Sequence, residues 1–380
     1  MLRKSAGRGS PGSSGLGRDS VCEPVARLAP RPGPVSLATS HSPDGPSRTS
    51  QCSSADASVL SAVARGSGFV ACHEHSVRAP LWRTVGPVRC WHDRRVLSCA
   101  IGLPNVREYA DPGLLVDLAI EAEEAGWDGV YVWDHIAREE DPSVPATDPW
   151  IAVAGMAVRT QRVRLGVMVT PLARRRPWKV AREAVAVDAL SGGRFTLGVG
   201  LGGGPNAEFA AFGEDPDPRA RAERLDEGLA ILDGLWSGEP FSHEGAHHRV
   251  SGAHFLPRPV QEPRIPVWVA GRWPNRRPFR RAARWDGVFP VFEGVGSGAM
   301  PRPEILAAAV DYTREHRSEG AGPFDVALES VSAGEDRAAD AALAADYERA
   351  GLTWWIEALG WFRGPLEAMR ERVRRGPPRA

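Results

Sequence analysis

Lysine is nearly missing from this chain. Of 47 basic residues only Lys4 and Lys179 are lysines, and they stand against 47 acidic residues. The formal net charge is zero, so there is no global field to draw the protein to nucleic acid or to an anionic membrane. No apolar run approaches the ~20 residues of a membrane span, and no N-terminal stretch has the apolar core of a secretory signal. Cysteine stops early: Cys22, Cys52, Cys72, Cys90 and Cys99 are all of it, without a Cys-x-x-Cys pair, so a disulfide framework is not expected. These absences describe a soluble, cytoplasmic protein with a small-molecule substrate, no nucleic acid and no membrane partner. A homodimer is compatible with them. With 380 residues, 42% of them hydrophobic, the chain can bury one large core or two ordinary ones.

What is present divides near residue 95. Residues 1–95 are thick with Ser, Gly, Pro and Arg, as in "RKSAGRGSPGSSGLGRDS", and show no sustained period, which predicts a disordered extension. The acid-poor beginning also suits an upstream extension or a targeting peptide. The segment "GFVACHEH", Gly68 to His75, ends in His-x-His, a pair that metal-dependent barrel hydrolases carry after their first strand. A zinc site needs further histidines and an aspartate at later strand ends, and those ends offer only Asp134, His135, Glu329 and Glu357. His243, His247, His248 and His254 sit among glycines in an expected hairpin, without a carboxylate set beside them in sequence.

From Val96 onward short β-rich runs alternate with amphipathic stretches. "VLSCAIGLP" precedes a helix that Asp111 caps, Pro112 opens and Gly126 ends. "GVYVWDHI", "VRLGVMVTP", "RFTLGVGLG", "IPVWVAG", "GVFPVF", "FDVALES" and "TWWIEAL" continue the strands, each followed by a helical stretch. Residues 239–264 interrupt the rhythm as a hairpin or extended excursion. Eight βα units in about 280 residues match a (β/α)₈ barrel, although a doubly wound sheet shares the same alternation.

"SGGRFTLGVGLGGGPN" contains the spacing Gly198-x-Gly200-x-x-Gly203 of a dinucleotide loop. It follows the fourth strand rather than the first, and a polar loop over 203–218 containing "PDP" separates it from its helix. The nicotinamide fingerprint therefore fails in context. In a barrel the same glycines stand at the C-terminal mouth, where they admit a flat or phosphorylated ligand close to the backbone.

"WDGVYVWDHI", "RLGVMVTPL", "ALSGGRFTLGVGLG", "IPVWVAG" and "AGLTWWIEALG" together resemble the luciferase-like monooxygenase family, the flavin- and F420-dependent barrel oxidoreductases, over about residues 96–375. Residues 1–95 lie outside the resemblance. It implies a TIM barrel of the bacterial luciferase type with reduced FMN or the deazaflavin F420 at its mouth. It also implies a small organic substrate, and either hydride transfer or oxygen activation by reduced flavin. A non-catalytic flavin-binding relative would keep the same loops.

The resemblance implies roles residue by residue. Asp134 and His135 match an Asp-His pair facing the cofactor ring in F420 members, where the histidine passes a proton, a task suited to imidazole. Val167 and Met168 match the site of a non-proline cis peptide behind the ring, and Thr170 a cofactor-contacting threonine. Leu201, Gly202 and Asn206 match the loop along the cofactor's side chain. Gly203 replaces a glutamate that accepts the proton in the sugar-phosphate dehydrogenase branch, so a sugar phosphate is not expected. Gly271 and Arg272, backed by Arg276 and Arg277, fall where the cofactor phosphate binds. Arg174 to Arg176 are candidates for an anionic tail such as the oligoglutamate of F420, which with the Asp-His pair tilts the reading toward F420. Strand alternation puts Trp354 with Ile356 on one face and Trp355 with Glu357 on the other, without saying which face is inside.

Overall fold

Asp-Pro opens three helices in the same way. The carboxylates of Asp111, Asp148 and Asp217 accept backbone N–H groups of the first turn, and the following proline occupies a position where no N–H is needed. They begin α1 (Pro112–Glu124), α2 (Pro149–Arg159) and α4 (Pro218–Trp236), with α3 (Pro177–Ser191) between the last two. The "PDP" read as loop is thus the cap of α4. The computed structural model describes residues 97–379, so the expectations for residues 1–95, including the His73-x-His75 pair, lie outside the described residues.

The strands are β1 (Ser98–Leu103), β2 (Gly129–Val132), β3 (Arg164–Pro171), β4 (Phe195–Gly200), an antiparallel hairpin of β5 (Phe241–Glu244) and β6 (Arg249–Ala253), then β7 (Val267–Trp273), β8 (Gly287–Phe292), β9 (Asp325–Ser330) and β10 (Trp354–Ala358). Leaving out the hairpin, they form one closed parallel barrel in the order β1-β10-β9-β8-β7-β4-β3-β2. β1 closes it, since Ala100 lies in register with Gly129 on one side and Ile356 on the other. Closure rules out the doubly wound alternative. The later helices are α5 (Arg276–Ala282), α6 (Pro303–Glu315), α7 (Arg337–Arg349) and α8 (Leu366–Arg374).

Two apolar layers hold the barrel. The outer one lies between strands and helices and includes Trp127, Phe195, Trp236, Phe279 and Trp355. The inner one fills the barrel with Ala100, Tyr131, Met168, Trp268, Ala327, Trp354 and Ile356. Trp354 therefore points inward. Trp355 points outward, its ring 6.0 Å from that of Tyr347. Inside, the rings of Tyr131, Trp268 and Trp354 make a mutually touching triad, with centroids 5.2, 5.5 and 5.9 Å apart.

That triad fits because neighbouring strands give it space. A Cβ on Gly166 would stand 2.5 Å from the Thr196 carbonyl oxygen and 2.7 Å from the Tyr131 ring. Backbone cannot retreat as a long side chain can. Gly166→Ala is expected to cost about 1–3 kcal/mol by overpacking, seen as a lower urea midpoint at unchanged slope; a midpoint equal to the parent's would show that the barrel yields there.

Lys179 is the lysine among the described residues. It stands exposed in the first turns of α3, 2.5 Å from Glu183 one helical turn on.

Candidate active site

The C-terminal ends of the strands enclose a cavity of about 390 Å³. Its floor is the inner aromatic layer through Met168, and Val169, Ala270, Phe289 and Val291 add apolar wall. Gly200 to Gly203 form another wall. At Gly203 an added Cβ would meet no protein atom within 4 Å, so the backbone there borders open space. Asp134, His135, Met168, Leu201, Gly202, Gly271 and Arg272 all line this cavity, as do Trp133, Arg138, Asn275 and Glu329.

Val167, Thr170 and Asn206 are not on its surface. Val167 belongs to the outer core. Thr170 is wholly buried with a hydroxyl that has no hydrogen-bond partner. Asn206 turns away to donate its amide to Glu139, which also accepts the backbone N–H groups of Asn206 and Ala207. The non-proline cis peptide joins Met168 to Val169, one bond beyond the expected Val167–Met168 position. Val167 still pairs regularly with Leu197, and the register breaks only between Val167 and Thr170, so the irregularity falls on the two residues between.

His135 is fixed from several directions. Asn105, fully buried after β1, accepts the His135 backbone N–H at 3.1 Å and donates its side-chain amide to the His135 carbonyl at 2.7 Å and to that of Thr147 at 2.7 Å. The imidazole Nδ1 lies 2.5 Å from Oε1 of Glu208, and Nε2 lies 3.2 Å from Arg138. Arginine only donates, so Nε2 accepts and Nδ1 carries the proton toward Glu208. Glu208 is 1% exposed, and its second oxygen has no partner. A wide helical turn over Pro205–Phe209 delivers it. Glu208 falls in the polar loop expected over 203–218, where no periodicity marks it as a site residue; Pro205 after four residues rich in glycine is the signal for a turn there.

Asp134 has a different role from its neighbour. Its carboxylate has no exposed surface and is held at 2.9–3.0 Å by Arg174 and Arg175, while Arg174 also donates to the Asp134 carbonyl. Two of the three arginines expected to meet an anionic tail are thus turned inward to Asp134. Arg176 remains exposed, 5.9 Å from the Trp178 ring. At the opposite wall, Arg276 lies over the Trp273 and Tyr312 rings at 4.9 and 4.3 Å instead of facing the cavity. α5 has only seven residues, and Pro278 removes one of its early N–H donors. Arg272 and Asn275 remain as the polar groups there.

Glu357 is also set apart from the cavity chemistry. It accepts from Ser332, from Trp355 Nε1 at 2.9 Å and from Arg363 at 2.6 Å, on the outer side of β10. Among the described residues no group of three or more His, Cys, Asp or Glu is arranged to hold a metal ion, His243 to His254 included. No described helix is long and apolar enough to cross a membrane.

Fold and cavity define a parallel (β/α)₈ barrel with an open cavity at its C-terminal mouth and an imidazole–carboxylate pair beside it. The chain belongs to the luciferase-like monooxygenase family, whose profile matches residues 97–374. An F420-dependent glucose-6-phosphate dehydrogenase of Gordonia bronchialis is 35% identical over 46% of this chain and 52% of its own length. One of Kineococcus radiotolerans is 34% identical over 63% of this chain and 69% of its own. The chain therefore spans about half the length of the first of these relatives. Among solved structures, F420-dependent tetrahydromethanopterin reductase from Methanopyrus kandleri superimposes with a TM-score of 0.57 at 18% identity, covering 73% of this chain and 96% of that one. The oxygenating constituent of 3,6-diketocamphane monooxygenase from Pseudomonas putida, in complex with FMN, gives 0.52 at 19% identity over 62% and 67%.

Proposed function

We propose that the chain is an oxidoreductase that uses F420, in preference to FMN, on a small organic substrate. The observation that carries this reading is the meeting, in one cavity, of an apolar and glycine-lined wall with His135, whose Nδ1 is held from behind by Glu208. The residues fit such a cofactor: the open backbone at Gly203 admits a flat or extended group, and Arg272 and Asn275 suit a phosphate. When bound, the cofactor supplies the two-electron chemistry.

The protein's part is proton handling and exclusion of water. His135 Nε2 takes or gives the proton, and Glu208 stabilises the positive imidazole that results. Arg138 must first leave Nε2, because a protonated Nε2 has no acceptor in a guanidinium. F420 is favoured because the curated relatives carry that cofactor in their names, whereas the FMN protein supports only a shared fold. Glucose 6-phosphate is the substrate in the relatives' names, but Gly203 stands where the resemblance expects that branch's glutamate, so a different substrate is proposed. A homodimer belongs to the same reading, supported by the exposed Ile151 and Val158 one heptad apart on α2.

Titrating the protein with F420 and with FMN at low and high ionic strength tests the assignment, and light scattering on the same samples gives the assembly state. F420 is expected to bind more tightly and to weaken with salt, because its tail is anionic and Arg176 remains exposed. Micromolar FMN affinity with no F420 binding would transfer the reading to FMN, and binding of neither would overturn it.

A further inference from the structure

Glu329 is an ionisable group of the cavity that the proton pathway above does not use. It follows Ala327 on the same face of β9, and Ala327 is part of the inner apolar layer, so the Glu329 side chain rises from the barrel interior into the cavity. Ile356 of β10 stands in register beside it, and Phe289 and Val291 of β8 line the same cavity, all apolar. The side chain of Trp133 stands beside it as a donor, and its ring packs edge-on against His135 at 5.8 Å and stacks on Phe362 at 6.0 Å. The other charged or titratable side chains lining the cavity are Asp134, His135, Arg138 and Arg272. Asp134 is closed off by Arg174 and Arg175, and Glu357 on the neighbouring strand is held by Arg363 on the other side of the sheet.

We propose that Glu329 is a specificity residue of this oxidoreductase site that hydrogen-bonds an uncharged substrate oxygen, a ketone carbonyl or the corresponding alcohol, and discriminates against anionic substrates. The indole N–H only donates, so one carboxyl oxygen of Glu329 accepts from Trp133 and the other is left for the cavity. In the neutral acid that second oxygen bears a proton and donates to a carbonyl. Burial pushes the Glu329 carboxyl up to about 7, while the Trp133 hydrogen bond works in the opposite direction. Below that pH the donor is present; above it, the group becomes an anion that offers no proton and repels a carboxylate or phosphate. The proposal rests on the oxidoreductase reading and goes further by naming the substrate class.

Equilibrium dialysis of the F420-loaded protein with cyclohexanone and with cyclohexanecarboxylate, a neutral and an anionic probe of similar size, tests it without turnover. Wild-type affinity for cyclohexanone is expected to fall about tenfold as the pH rises through 7. Glu329→Gln keeps an amide donor, so it should bind cyclohexanone without that dependence and bind cyclohexanecarboxylate more tightly than wild type at alkaline pH. If Glu329→Gln binds F420 normally yet retains the wild-type pH dependence and probe preference, the assignment is wrong. Failure of the wild type to bind F420 or FMN would instead remove the oxidoreductase reading beneath it.

Discussion

Replacing His135 by alanine is expected to lower turnover by ~10²-fold or more at saturating cofactor and substrate, the usual loss when a positioned acid–base group is removed. The backbone of residue 135 is held by Asn105 independently of the side chain, so the loop should persist. The substitution also strips Glu208 of its partner, and a buried carboxylate without one costs about 1–3 kcal/mol. Glu208→Gln separates the two effects. Its amide oxygen still accepts from Nδ1 but brings no charge, so a smaller fall, about tenfold, is expected. F420 binding should survive in both. A His135→Ala enzyme turning over at the wild-type rate would remove His135 from the chemistry.

The largest stability effect is expected at Asp134. Its carboxylate has no exposed surface, and the side chains of Arg174 and Arg175 are 6% and 16% exposed. Asp134→Ala leaves two guanidinium groups facing one another in a poorly solvated place, where loss of one partner of a buried pair costs about 3–5 kcal/mol. Their Nε groups already lack hydrogen-bond partners, and after the substitution the Asp134 carbonyl still accepts from Arg174 while the carboxylate contacts of both arginines are lost. Urea denaturation measures the loss. A triple replacement, Asp134→Leu with Arg174→Met and Arg175→Leu, should recover most of it, because apolar groups need no compensation there. A single Asp134→Ala variant within 1 kcal/mol of wild type would show that the arginines find water or other partners.

The barrel was legible because its signals are local. Apolar runs mark the βα units without reference to distant residues, and in some of them an Asp-Pro cap and a glycine stop fix the helix as well, as at Asp111, Pro112 and Gly126. Strand ends then place Asp134, His135, Met168, Gly202 and Gly271 at one mouth. What stayed hidden depends on side chains meeting across loops. Glu208 reaches His135 only through the wide turn after Gly204, and no periodicity announces such a turn. Arg174 and Arg175 read as candidates for an anionic tail because the carboxylate they hold is 40 and 41 residues away in sequence. Trp354 and Trp355 had separable faces but no readable sign, since both layers they enter are apolar.

The scarcity of lysine gives α3 its own gauge of opening. A lysine-specific protease has one target among the described residues, Lys179, and that peptide bond is wound into helix with its side chain against Glu183. Cleavage there needs the helix to unwind, because a protease binds its substrate extended. The rate at which a fragment beginning at Val180 appears therefore follows the population of chains in which α3 is open, provided reclosing outpaces cutting. Bound cofactor should slow that rate by the amount it stabilises the folded barrel, which turns a simple digestion into a binding measurement that requires neither a substrate nor a spectroscopic label.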